Sequence, residues 1–210
     1  KSRAFATEQI GQQAFVLRGF ALPWLDRLLP ALESVLQAAP FRQMVTPGGF
    51  TMSVALSSCG ALGWTTDRSG YRYTRDDPQT GQPWPDMPQL FRELAQAAAR
   101  QARFEHFEPD ACLINRYVPG ARMSLHQDKD ERCLEAPIVS VSLGLPAMFQ
   151  LGGFERSEEM RTEMERCARD GTPRPESFTS FPSRASTLPS SPRRSSSRCS
   201  GGPPRSYCAA

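Results

Sequence analysis

The stretch ACLINRYVPGARMSLHQDKDERCLEAPIVSVSLGLPAMFQLGG, residues 111–153, decides the architecture. It divides into ACLINRYV (111–118), ARMSLHQD (121–128), APIVSVSLG (136–144) and PAMFQLGG (146–153), short β-rich runs separated by Pro-Gly, acidic and Gly-Leu-Pro turns. Several such strands in succession predict a sandwich or barrel-like sheet. Inside the second run, His126-Gln127-Asp128 carries the chemistry. On an extended strand, side chains two apart face the same way, so His126 and Asp128 can meet one metal ion while Gln127 faces away. Two histidines and one carboxylate on one face of an octahedron leave open positions, the arrangement of non-haem iron(II) oxygenases. A lone His-x-Asp is more often a solvated strand end, so its surroundings must decide.

Working outward, residues 22–38 place Leu25, Leu28, Leu32, Val35 and Leu36 at helical spacings behind Pro23, which suits a first turn. That spacing predicts an amphipathic helix bent at Pro30. Residues 88–103 repeat the pattern with Leu90, Phe91, Leu94 and Ala98. Between them, TMSVAL (51–56) reads as a strand, and the four prolines of 71–88 predict a surface loop. Residues 155–170 read as a charged helix striped by Met160, Met164 and Cys167. From Gly171 to Ala210 there are 11 Ser, 7 Pro and 6 Arg among 40 residues. So little apolar surface cannot offset the entropy of ordering, and disorder is expected there.

A chain of 210 residues, 39% hydrophobic, has enough apolar surface for one good core. A net charge of +3 permits a polyanionic partner without requiring one. The six cysteines form no CxxC pair and read as reduced, as in a cytoplasmic protein. No run of 18 apolar residues and no leader pattern is present, so neither membrane span nor signal peptide is expected, and a monomer is.

NRYVPGARMSLHQDKDE (115–131) followed by PIVSVSLGLPAMFQLGG (137–153), with MVTPGGFTMSVAL and LGWTT upstream, resembles the AlkB family of iron(II)/2-oxoglutarate dioxygenases over roughly residues 15–156. The resemblance implies an α+β fold with a double-stranded β-helix (jelly-roll) core and flanking N-terminal helices, here incomplete on its C-terminal side. The dioxygenase domain would span 1–156, with a nucleotide-recognition lid near 42–75, before the charged helix (157–170) and the tail (171–210).

The same resemblance implies roles. His126 and Asp128 would ligate Fe(2+) and be the catalytic pair. Asn115 and Tyr117 would hydrogen-bond the 2-oxoglutarate carboxylates, with Leu113 and Met123 packing beside it. Trp64 and Tyr71 would enclose the damaged base, Leu56 would form the pocket wall, and Asp130 would face the base's exocyclic edge. Thr46, Arg122 and Arg156 would contact phosphates. His106 matches no functional position and reads as a surface residue. Iron, 2-oxoglutarate and O2 would demethylate N-alkylated bases such as 1-methyladenine and 3-methylcytosine in single- or double-stranded DNA and in RNA, releasing succinate and formaldehyde.

The family pattern also includes a third iron ligand, a histidine, and two arginines that anchor 2-oxoglutarate. This sequence has two histidines and none after His126, and no Trp-Gly-Gly, Tyr-His-Gly or final Arg-x-Asn strand. A poor or inactive catalyst is therefore expected. Residues 157–210 have the composition of a GC-rich gene read out of frame, the alternative being a genuine basic tail that binds nucleic acid nonspecifically. Two further readings stand beside a repair enzyme: an inactive module that binds alkylated single strands, and an oxygenase of this fold acting on proteins or small molecules.

Overall fold

The computed structural model describes residues 6–11, 13–124, 126, 136–144, 147–152, 159–164, 177–178 and 206–209. The chain opens with a hairpin, β1 (Ala6–Gly11) and β2 (Ala14–Arg18), then a 3-10 turn (Leu22–Trp24) that runs into α1 (Leu25–Ala38). Next come β3 (Arg42–Val45), β4 (Thr51–Gly60), β5 (Gly63–Asp67), β6 (Gly70–Thr74) and α2 (Gln89–Gln101). After β7 (Pro109–Tyr117) the strands are short: β8 (Val139–Ser140), β9 (Ala147–Gly152), β10 (Glu159–Met164), β11 (Ser177–Phe178) and β12 (Ser206–Ala209). No helix among the described residues is long and apolar enough to cross a membrane.

Both expected helices form, because their apolar stripes have a core to meet. Leu25, Leu28, Leu32 and Val35 of α1 and Phe91, Leu94, Ala95 and Ala99 of α2 are buried against Cys112 and Ile114 of β7 and against Val141 and Leu143. Pro30 lies within α1, where its missing N–H leaves the carbonyl four residues earlier without its helical donor.

The main sheet runs β3-β4-β7-β12-β8, with β11 also paired to β7. β3, β4 and β7 are antiparallel neighbours, and the register sets Leu56 opposite Asn115, Ser58 opposite Leu113 and Cys59 opposite Cys112. Alternation along β7 then splits its side chains. Cys112 and Ile114 join the helix-side core, whereas Leu113 and Tyr117 join a second cluster with Met44, Val54 and Leu56. β7 therefore separates a structural core from the face that carries the candidate site.

Four expectations are corrected. Residues 121–124 and 126, read as part of a strand, form no ladder; the Pro119-Gly120 turn directs this segment over the second cluster instead. The stretch from Tyr71, read wholly as loop, begins as β6, since a hairpin with β5 satisfies its backbone. The charged helix expected at 157–170 contains a strand at Glu159–Met164, in antiparallel register with β9. Two short strands also occur in the stretch expected to be disordered: Ser177–Phe178 beside β7, and Ser206–Ala209 between β7 and β8. Both supply hydrogen-bond partners to β7, whose outer edge would otherwise lack them.

Candidate active site

The second cluster gathers five of the residues singled out in the sequence. Leu56 (fully buried) and Tyr117 sit within it, and Trp64, Leu113 and Met123 pack against it. Asn115, between Leu113 and Tyr117 on the same strand, shares their face and is fully buried opposite Leu56. Burying Leu56 alone stabilises the fold by about 1.5–3 kcal/mol, so this wall of the site is firmly built.

Over this face lies the β5–β6 hairpin. The Trp64 and Tyr71 rings are stacked, with centroids 5.7 Å apart and planes at 23°. Trp64 is anchored in the cluster, whereas Tyr71 is about half exposed, so the pair runs from the pocket wall to the surface. At the hairpin turn Asp67 accepts hydrogen bonds from both Arg72 terminal nitrogens (3.0 and 2.6 Å) and from the Ser69 amide (2.7 Å). The Arg72 hydrogen bond and then the Ser69 amide hold the Asp67 carboxyl far below the usual carboxylate range.

A second clasp fixes the hairpin from behind. Gly63 passes so close to the Trp84 indole that a Cβ there would lie 2.2 Å from the ring. The Arg42 guanidinium covers the same indole at 5.1 Å and donates two hydrogen bonds to Asp77, at 2.6 and 2.5 Å. The hairpin position is thus set by a glycine, an indole and an ion pair drawn from three separate stretches.

The segment after β7 is tied down by Ser53, whose hydroxyl donates to the Arg122 carbonyl (2.9 Å) and accepts from the Arg122 amide (3.2 Å). This brings Ala121 and Met123 onto the cluster and leaves Arg122 exposed. His126 is exposed, with Nδ1 2.7 Å from the Ser124 carbonyl. A carbonyl only accepts, so Nδ1 is the donor of this contact and Nε2 is the ring nitrogen turned away from it. Thr46 closes the β3–β4 turn: its amide donates to Phe50 (2.8 Å), and its hydroxyl oxygen accepts the Phe50 amide (3.2 Å). Asp128, Asp130 and Arg156 lie outside the described residues. His106 is exposed, with a positive φ of 59°.

Three features were passed over in the sequence. Phe50, at the tip of the Thr46 turn, is 75% exposed, an aromatic ring offered to solvent. Ser58, two residues beyond Leu56, and Thr66, two beyond Trp64, are buried hydroxyls without a hydrogen-bond partner among the described residues. Period-two alternation from Leu56 and Trp64 was the signal available for both serine and threonine.

Residues 15–187 match the model of the 2OG-Fe(II) oxygenase superfamily. The chain belongs to that superfamily. It is also 58% identical over 154 residues to the alpha-ketoglutarate-dependent dioxygenase AlkB of Escherichia coli, covering 73% of this chain and 71% of that protein. At that level of likeness it is an AlkB-like member. The human nucleic acid dioxygenase ALKBH1 is 31% identical over 98 residues, 46% of this chain and 25% of that protein. The solved structure of OsALKBH1 superposes with a TM-score of 0.64 at 20% identity, covering 83% of this chain and 82% of that one. The fold is therefore that of the jelly-roll oxygenases. The enzyme class is that of the Fe(II)- and 2-oxoglutarate-dependent dioxygenases, with O2 as the further cosubstrate.

The AlkB-like cluster is suited to 2-oxoglutarate. Neither the amide nitrogen nor the amide oxygen of the fully buried Asn115 has a partner among the described residues. Leaving such a group unanswered costs about 1–3 kcal/mol; a carboxylate bound here would accept from the amide nitrogen, whereas the amide oxygen needs a donor of its own. For the metal, no group of three His, Cys, Asp or Glu side chains comes together among the described residues.

Proposed function

We propose that the site serves the oxidative demethylation of N-alkylated bases, such as 1-methyladenine and 3-methylcytosine, in single- or double-stranded DNA and in RNA. The stacked Trp64–Tyr71 pair above the Asn115 face carries this reading. A base must leave its stack to be worked on, and aromatic planes stabilise an extruded base by about 1–3 kcal/mol each. The nucleic-acid substrates named for the human relative agree with it.

In this reading His126 and Asp128 hold the iron, Asn115 and Tyr117 orient 2-oxoglutarate, and Leu113 and Met123 pack beside it. Leu56 sets the depth of the pocket, and Asp130 answers the positive charge of an alkylated base. Thr46, Arg122 and Arg156 hold phosphates; the Thr46 hydroxyl oxygen accepts within its own turn, so its proton remains for a phosphate oxygen. Iron held by His126 and Asp128 would, with 2-oxoglutarate and O2, supply the oxidising power for removing an N-methyl group as formaldehyde. The chain's own part is to orient cosubstrate and base and to keep water out, for which the apolar ring of Met44, Val54, Leu56 and Met123 is suited.

We further propose that catalysis is impaired in this sequence, because none of its residues after His126 is a histidine. The second reading follows from the same observation: an inactive binder of alkylated single strands that keeps the Trp64–Tyr71 lid. Incubating the purified chain with 1-methyladenine oligonucleotides, iron and 2-oxoglutarate should give slow, cosubstrate-dependent formaldehyde release; methylated strands bound without release favour the binder. Trp64→Ala is expected to weaken binding of such oligonucleotides roughly 5- to 100-fold, the loss of one stacking plane. Fluorescence anisotropy against unmethylated strands checks this, and an unchanged preference for methylated strands would remove Trp64 from the pocket.

A further inference from the structure

We infer that Ser58 is a second hydrogen-bonding contact for the carboxylate cosubstrate, beside Asn115; this rests on the proposed placement of 2-oxoglutarate against Asn115. Ser58 is fully buried, and its hydroxyl has no partner among the described residues. It stands opposite Leu113, two steps along the ladder from the Leu56–Asn115 pair. Directly paired residues of antiparallel strands project to one face, as do residues two apart on one strand. Ser58 therefore shares the face of Leu56, Leu113 and Asn115.

The contrast with its neighbour makes the point. Ser57, equally buried but on the opposite face, donates its hydroxyl to the Ala39 carbonyl at 2.5 Å. Two adjacent serines of one strand thus differ only in the face they serve. The one toward the helices is satisfied within the protein, and the one toward the site is not. An orphaned hydroxyl at this depth destabilises the ligand-free protein, and a ligand oxygen within the site relieves it. Diagonal neighbours across an antiparallel pair lie about 7–8 Å apart at Cα, and their side chains come closer. That separation allows Ser58 and Asn115 to donate to one carboxylate, which offers about four lone-pair sites, or to the two ends of a short dicarboxylate.

Titrating 2-oxoglutarate into the full chain with Mn(II) present, by calorimetry and ligand-observed NMR, tests the inference with wild type, Ser58→Ala and Asn115→Ala. Ser58→Ala is expected to weaken binding roughly 10- to 100-fold, the loss of one hydrogen bond to a charged group. It should also leave the ligand-free melting temperature unchanged or raised, while shrinking the shift that 2-oxoglutarate produces. A purely structural serine gives the reverse, a lower melting temperature with unchanged affinity, and that result overturns the inference. Weaker binding in Asn115→Ala alone removes Ser58 but keeps the cosubstrate where it is proposed. Full affinity in Asn115→Ala, or no uptake by wild type, removes the placement of the cosubstrate and the inference with it.

Discussion

Anaerobic titration is expected to show Fe(II) bound more than about 100-fold more weakly than at a three-ligand oxygenase site, and His126→Ala is expected to abolish what binding remains. Removing only an outer-shell partner of a metal ligand costs about 10–100-fold in affinity, so the lack of a ligand costs more. The sequence provides one imidazole in the metal motif, His126, and its other histidine, His106, is exposed on the turn after α2. The Ser124 carbonyl holds the His126 ring through Nδ1, and Ala at this position removes the imidazole of the metal motif. Turnover of 2-oxoglutarate should fall to background in the same variant. Tight iron binding by wild type would mean that a third donor is supplied elsewhere in the chain, and the impairment proposed above would fall. Translating the parent DNA in its other two frames gives an independent check: a Tyr-His-Gly and an Arg-x-Asn strand recovered there would locate the missing ligands in a shifted frame, and their absence would favour a genuine tail.

Which parts of this were legible in the sequence depends on how far the deciding contacts reach along the chain. The helices were legible because the spacing of Leu25, Leu28, Leu32 and Val35 is a local record of one buried face. The two-sided character of β7 was legible only in part. Asn115 and Tyr117 two apart marked one face, but Cys112 and Ile114 are buried as well, and a strand buried on both sides reads as a continuous apolar run. That same ambiguity hid Ser58, since SSCG read alone does not separate the satisfied serine from the orphaned one and only counting by twos from Leu56 does. The strand at Glu159–Met164 was missed for a different reason. Met160 and Met164 are four apart, a spacing that fits a helical turn and a two-residue alternation equally well, and only pairing with β9 decides between them. The clasp behind the lid was out of reach altogether, because Arg42 and Asp77 are brought together by the fold across 35 positions of sequence.

That clasp carries the largest expected effect on stability. Arg42→Ala is expected to destabilise the protein by about 3–5 kcal/mol, because it leaves a buried carboxylate without its counter-charge. The Asp77 side chain is 7% exposed and that of Arg42 20%, so solvent does little to screen the loss. The same substitution removes the hydrogen bond to Gln79 at 2.9 Å and uncovers the Trp84 indole that rests on Gly63. At about 2–4 °C per kcal/mol for a chain of this size, the melting temperature should fall by on the order of 10 °C. The effect should also depend on pH. Burial raises the Asp77 pKa, but the Arg42 hydrogen bonds, the Gln79 amide and the Arg42 charge outweigh it and hold it below its ordinary value. A carboxyl whose folded pKa is depressed contributes its stability above the unfolded value, near 3.9, and loses it as pH falls through the folded value. The gap between wild type and Arg42→Ala should therefore narrow as pH falls, first as the variant's carboxyl, raised by burial without its counter-charge, takes up a proton, and last as pH passes through the depressed wild-type value. Replacing both partners by apolar residues of similar volume should cost less than Arg42→Ala alone, since no lone charge is then buried. A double variant less stable than Arg42→Ala, or a gap unchanged at low pH, would mean that the pair acts through packing on Trp84 instead of through charge.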